Sequence, residues 1–419
     1  MKIFKTTIYA ACLFFSFAST STGATSIKED FPKIMGMNIG RPISYDNFSY
    51  IQEMGKVDVL VMNFWPRWKD YKYGQNSIRS IVSAIKAYNP DIVIGQYTIL
   101  NESQDTQSQD KSNADRAEKL EKENWWLRDN RKRKLRWTDK YNAWDINITE
   151  FTKPDADGMR YPEWLAHRNH NIFFKNIPEF EFWYLDNTLS QSPAPAADWF
   201  LDGINRMPTD AVVAKAYRKG HVQYWNNIRQ LQPDTMLIGN SDNLNSEEYS
   251  MQLNGAFLEA VIGKNWSTET RKGWPAMMQR YYSFMKNTLP PKIVGFNVWG
   301  KSNDFQRLRY GLASCLMNDG FFSYTDESQG YSSVPWFDEF DVDLGKPVDP
   351  PPMAAWKDGI YRRLFERGLV LVNPTNQNKV VTIEAGFRRI NGKQAPNINN
   401  GKPVNTITLS PKDGIILIR

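Results

Sequence analysis

Eight short stretches of the chain are apolar through most of their length and carry their polar residues in the later half, and this repeated asymmetry constrains the fold more than any other feature. They read IMGMNIG (34–40), VDVLVMNF (57–64), DIVIGQYTIL (91–100), FEFWYLDN (180–187), TMLIGNSDN (235–243), LNGAFLEAVIG (253–263), KIVGFNVWG (292–300) and GFFSYTDE (320–327). Apolar residues run continuously in them instead of alternating with polar ones, the pattern of strands buried on both faces in a parallel sheet. Helical patterns lie between, at 43–54, 75–88, 159–176, 211–231, 270–288 and 303–317. Eight such strands joined through helices imply an α/β fold, a (β/α)8 TIM barrel, over residues 30–345. An open doubly wound sheet is the competing arrangement, and the absence of a glycine-rich phosphate turn after any strand counts against it.

In a barrel the carboxyl ends of all strands meet on one face, so the polar ends should surround a single cleft. They supply Asn63 and Trp65, Gln96 and Tyr97, Asp186 and Asn187, Asn240 and Asp242, Glu259, Trp299 and Asp326. Asp186 and Glu259 stand apart from the rest because each is the first acid after a buried run, FWYL and GAFL. An ionised carboxylate buried without a partner costs several kcal/mol, so each belongs where its strand opens onto a polar space. Glycoside cleavage uses two carboxyl groups, one ionised and one protonated. Glu259, held against Phe257 and Leu258, suits the general acid because burial disfavours its charge. Asp186 then suits the nucleophile or base, and the other strand-end residues, including Asp242 and Asp326, are sugar-contact candidates. Two plainer roles compete: Asp186 as a cap for the segment after it, and Glu259 as a rim ion-pair partner of Lys264 or Arg271.

Other chemistries find little support. The HRNH run (167–170) has no acid-rich ligand set beside it, no Gly-x-Ser-x-Gly turn occurs, and Cys315 lies in the apolar YGLASCLM. No cofactor or metal is expected. Aromatic residues make up 14% of the chain, and several tryptophans fall in charged segments, which suits stacking on sugar rings. The net charge of +6 is spread out except for RDNRKRKLR (128–136), a solvated loop face or an attraction for an anionic polymer. No nucleic-acid-binding motif accompanies it.

Residues 1–24 read as a secretory signal peptide: Lys2 and Lys5, the apolar Ile8–Phe17, then Thr22-Gly23-Ala24. That implies a periplasmic or extracellular protein with no stable membrane insertion after cleavage. Residues 101–158 interrupt the barrel pattern with a polar half, disordered or decorative, and a half carrying Trp125, Trp126, Trp137 and Trp144 that should pack over the barrel mouth. After the proline cluster GKPVDPPPM (345–353), short strand patterns with turn residues between them indicate a small antiparallel β domain over residues 354–419.

Four segments, FEFWYLDNT, GAFLE, WFDEFDVDLGKPV and FERGLVLVNPT, together resemble the bacterial proteins called hypothetical glycosyl hydrolase family 15, exported barrels related in outline to the endo-α-1,4-polygalactosaminidase and amylase-like barrels. The resemblance implies a catalytic Asp at the end of the fourth strand, which falls on Asp186, and an acid partner after the sixth, which falls on Glu259. The expectation is therefore an exported glycoside hydrolase acting on a bacterial or environmental polysaccharide or oligosaccharide. A non-catalytic glycan-binding or scaffolding barrel in exopolysaccharide export or processing is the alternative. The two separate on whether Asp186 and Glu259 face one cleft within ~10 Å of each other.

Overall fold

The computed structural model describes residues 27–39, 48–63, 75–107 and 113–419. The signal-peptide segment and Trp65 lie outside the described residues. In chain order the first elements are β1 (Met35–Asn38), α1 (Phe48–Met54), β2 (Val59–Met62), α2 (Gln75–Tyr88) and β3 (Val93–Ile99). An excursion comes next, with β4 (Glu102–Ser103), α3 (Ala114–Lys122), β5 (Trp144–Asp145) and α4 (Tyr161–Ile172). The chain then resumes as β6 (Phe182–Thr188), α5 (Ala211–Leu231), β7 (Met236–Ser241), β8 (Gly255–Ile262), α6 (Thr268–Lys286), β9 (Ile293–Gly300), α7 (Phe305–Cys315) and β10 (Phe321–Asp326).

Eight strands pair in parallel in the order β1-β2-β3-β6-β7-β8-β9-β10. A parallel bridge between Ile34 and Phe322 joins the two edges, with the Phe322 amide donating to the Lys33 carbonyl. The sheet is the barrel the apolar runs implied. Side chains alternate across it: Met37, Val61, Tyr184, Ile238 and Phe257 pack in the interior, while Leu60, Ile94, Trp183, Leu237 and Leu258 belong to the larger core beneath the helices. Trp183 shows how firmly β6 is seated. Its ring stacks on Phe174 at 3.8 Å and meets Tyr224 of α5 edge-on at 6.2 Å.

The connection from β7 to β8, where the sequence shows no helical pattern, is made by turns that bury Leu244, Tyr249 and Leu253. The polar half of the excursion is ordered where α3 forms, although only Ala117 and Leu120 are apolar and buried there. Arg116 supplies the rest of the inner face. It is fully buried and donates to the carbonyls of Ile99, Leu100 and Glu102 and to the Tyr161 hydroxyl. Such a guanidinium, held by four acceptors, does the packing that hydropathy alone does not register.

Beyond the barrel, β11 (Tyr361–Phe365), β12 (Gly368–Asn373), β13 (Lys379–Thr382), β14 (Arg388–Arg389), β15 (Thr406–Leu409) and β16 (Asp413–Ile418) form an antiparallel four-stranded sheet, β11-β12-β16-β14, and the pair β13-β15. Leu369, Leu371, Val381, Phe387, Ile407 and Leu417 make their shared core. Strand β16 lies directly on α7, where a buried Arg309–Asp413 ion pair crosses the junction. Among the described residues, no helix is long and apolar enough to cross a membrane.

Candidate active site

Three consecutive barrel strands bring Asp186 (β6), Asn240 (β7) and Glu259 (β8) together at their carboxyl ends. Each shares the parity of interior side chains: Asp186 follows Phe182 and Tyr184, Asn240 follows Met236 and Ile238, and Glu259 follows Phe257. Both acids also sit at irregularities in the sheet. The pairing register shifts between Leu185 and Thr188 and again between Leu258 and Ile262. Asn187 and Ala260, the residues immediately after the acids, have φ of 51° and 45°. Bulges of this kind re-aim a side chain out of the regular pleat, here into the barrel mouth. The left-handed backbone at Ala260 is held in place: its amide donates to Asn297 Oδ1 at 2.9 Å and its carbonyl accepts from Ser267 Oγ.

Asn240 Nδ2 donates to Asp186 Oδ1 at 3.0 Å and to Glu259 Oε2 at 3.1 Å. One amide nitrogen bonding both acids, with its protons splayed at about 120°, places those two oxygens about 5 Å apart. Asp186 also accepts from the Tyr97 hydroxyl at 2.5 Å and from the Asn187 amide at 2.9 Å. All its partners are donors, which is the hydrogen-bonding capacity of a carboxylate. Glu259 accepts from the Tyr331 hydroxyl at 2.7 Å. Burial raises its pKa above the ordinary glutamate value, opposed by the Tyr331 bond and reinforced by the Asp186 charge. The Tyr97 hydroxyl is held well above the normal range, first by burial and then by Asp186.

These groups line a cleft of about 900 Å³. Its wall includes Tyr184, Asn187, Trp299 and Tyr331, and its rim the exposed Trp137, Tyr141 and Trp266. Trp137 comes from the excursion, and its indole donates to Glu102 at 2.5 Å. The tryptophan-bearing half thus reaches over the barrel mouth through Trp137, while Trp125 and Trp126 are buried beneath it.

Several strand-end residues lie elsewhere. Gln96 has the opposite parity to Tyr97 and is fully buried, its amide donating to the Tyr97 carbonyl. Asp242 accepts from the Ser190 amide and hydroxyl and braces the loop after β6. Asp326 accepts from the Ser328 amide and hydroxyl and closes the turn after β10. None of these three lines the cleft. Half-buried Asn63 donates its backbone amide to the Asn38 carbonyl, and the residues after it lie outside the described set. Glu259 does not pair with Lys264 or Arg271; Arg271 donates instead to the Asn265 carbonyl. The dense basic run is largely neutralised by its own surroundings, through Arg128–Glu121, Lys132–Asp198, Arg133–Asp129, Lys134–Asp105 and Arg136–Asp139 pairs. Among the described residues, no group of three or more His, Cys, Asp and Glu side chains could hold a metal ion.

Strand-end position does not mark Tyr331, Tyr184, Glu102, Tyr141 or Trp266, which also line the cleft. Tyr184 had a signal, since it stands two residues before Asp186 on the same strand face. Tyr331 had none: it lies in a short turn after β10, and only the closed barrel brings it to Glu259.

The model of hypothetical glycosyl hydrolase family 15 matches residues 86–369. The chain belongs to that family. The matched span carries the Asp186–Asn240–Glu259 cluster and runs from α2 into β12. The family member has no match among the curated proteins. Among solved structures, Eubacterium rectale Amy13B aligns with a TM-score of 0.51 at 9% identity, covering 94% of this chain and 97% of its own. At that identity the likeness is one of fold, and it agrees with the barrel described above. An Anoxybacillus α-amylase aligns at TM-score 0.49 and 12% identity, covering 92% of this chain and 97% of its own. The glycoside hydrolase domain of PelA from Pseudomonas aeruginosa gives 0.44 and 11%, covering 73% of this chain and 98% of its own.

Proposed function

We propose that this family 15 chain is an exported glycoside hydrolase that cleaves a bacterial or environmental polysaccharide with retention of anomeric configuration. The observation that carries the reading is the single Asn240 amide bonded to both Asp186 and Glu259. Retaining glycosidases hold their carboxyl groups about 5–5.5 Å apart, and inverting ones about 6.5–9.5 Å to admit a water between them. The span of one amide group falls in the shorter range.

In the first step an Asp186 oxygen attacks the anomeric carbon while the bond to the leaving oxygen breaks. Glu259 delivers its proton to that oxygen, and a glycosyl ester on Asp186 results. In the second step Glu259, now ionised, takes a proton from water as the water oxygen attacks the same carbon and releases Asp186. Burial favours the protonated form of Glu259, which suits the first step. Tyr97 and Asn240 steady Asp186 as its charge is lost and regained. Asn187 and Trp299 contact the sugar from the wall, and Trp137, Tyr141 and Trp266 offer ring faces along the rim.

The test is incubation of the purified protein with a panel of bacterial exopolysaccharides, scoring new reducing ends. Glu259→Gln should lower turnover by roughly 10²–10⁴-fold, and Asp186→Asn should abolish it. Full turnover in either variant removes that residue from the mechanism. Export through residues 1–24 is tested by fractionating cells that express the full chain, where uncleaved protein confined to the cytoplasm would contradict it.

A further inference from the structure

Charge within the cleft is arranged unevenly. Each of its carboxylates already has protein donors: Asp186 has Tyr97, Asn187 and Asn240, Glu259 has Tyr331 and Asn240, and Glu102 has the Trp137 indole. Two lysines also line it, Lys140 and Lys264, and neither forms an ion pair among the described residues. Their ammonium groups rest on aromatic rings instead, Lys264 over Trp299 at 3.9 Å and Lys140 over Tyr141 at 5.0 Å. The adjacent loop behaves differently, since five of its basic residues have carboxylate partners. The cleft therefore keeps two cations uncommitted in a protein that neutralises cations next door.

We infer that the cleft selects glycans carrying anionic groups on the sugar ring, uronate carboxylates or sulfate or phosphate esters, and that Lys264 and Lys140 are the residues that meet them. Selection at the binding step stands apart from the glycosidase reading, and only the cleavage of the bound glycan depends on that reading. The placement is apt for such a role. Lys264 sits on the face of Trp299, so an anionic substituent on a sugar at that wall meets the ammonium directly, and the ring holds the ammonium there when no ligand does. Lys140 is near enough to Glu259 for its charge to favour the ionised carboxylate. Burial raises the pKa of both Glu102 and Glu259, and at Glu259 the Lys140 charge opposes it. A neutral glycan would leave both ammonium groups without a counter-charge. A cationic one would be repelled by them.

Matched pairs of polymers test the inference: a polyuronate against its carboxyl-reduced form, and a sulfated glycan against its desulfated form. Binding is measured with Asp186→Asn protein, which cuts nothing, and reducing-end release with the unaltered protein. The expected result is tighter binding of the anionic member of at least one pair, by about tenfold at low salt and less as salt rises. The pair that shows it identifies the anionic group. Lys140→Gln with Lys264→Gln, checked for an unchanged melting temperature, should bring the preference close to one. No preference in either pair, or a preference untouched by the double substitution, overturns the inference. Anionic glycans that bind with the expected preference but are never cut would leave it standing and overturn the glycosidase reading instead.

Discussion

At the scale of single residues the account rests on Asp186, Asn240 and Glu259 and on the backbone that aims them. Because burial and the Asp186 charge both raise the Glu259 pKa, the alkaline limb of the activity profile should fall above the ordinary glutamate range, as the acid loses its proton. Asp186→Asn removes the neighbouring charge, so the Glu259 pKa should drop toward its usual value. Carbon-detected NMR titration of the Glu259 carboxyl in the two proteins measures this, and an unchanged or higher value in the variant would count against the coupling. Asn297 is fully buried and supports the left-handed Ala260 by accepting from its amide. Asn297→Ala leaves that amide unsatisfied and should cost about 1–3 kcal/mol in denaturant unfolding, with a loss of turnover because Glu259 is no longer held in place. Both acids were legible in the sequence because each ends an apolar run. The bulges that aim them were not: Asn187 is a residue type that tolerates a left-handed backbone, but nothing in LEAV announces one at Ala260. Gln96 shows the opposite limit: it lies near a strand end, but its parity turns it away from the barrel interior.

Among the elements, the β4–β5 ribbon carries a like-charge pair. Glu102 and Asp145 stand directly opposite each other across it, a pairing that repels when both are ionised. Asp145 is buried, one of its carboxyl oxygens has no hydrogen-bond partner, and burial followed by the Glu102 charge raises its pKa to about 8. A carboxyl raised in the folded state is accommodated at low pH. Its contribution turns unfavourable as pH climbs from the ordinary aspartate range to about 8. Asp145→Asn should therefore be more stable than the unaltered protein at pH 8 and above, on the order of a few kcal/mol, and the difference should shrink toward pH 4. Calorimetric melting across that range checks it, and a gap that stays constant or widens in acid would refute it. The elements with strong periodicity were readable: α2 and α5 occupy the ranges their patterns gave, 75–88 and 211–231. Helix α3 was not, because its inner face depends on a buried arginine. The β7–β8 connection, for which the sequence offers no helical pattern, is filled by turns.

For the molecule as a whole, the barrel and the β domain are packed as neighbours through α7. Gly414 permits the approach: a Cβ there would stand 2.5 Å from Ala313 Cβ and 2.6 Å from the Arg309 carbonyl oxygen. Gly414→Ala should therefore destabilise the protein by about 1–3 kcal/mol, and denaturant unfolding should show it. A neutral effect would mean the junction is looser than this packing implies. The proline cluster made the change of pattern at 345–353 visible in the sequence. The Arg309–Asp413 pair that fastens the junction joins residues 104 positions apart and could not be inferred from either segment alone. The same limit applies to the cleft, whose wall draws on β6, β7, β8, β9 and the distant turn at Tyr331. The most direct test of the central claim is the configuration of the first sugar released from a cleaved polymer, followed by proton NMR before mutarotation. The expected result is that the anomer of the parent linkage appears first. First appearance of the opposite anomer would mean that Asp186 and Glu259 do not work across the distance this geometry gives them.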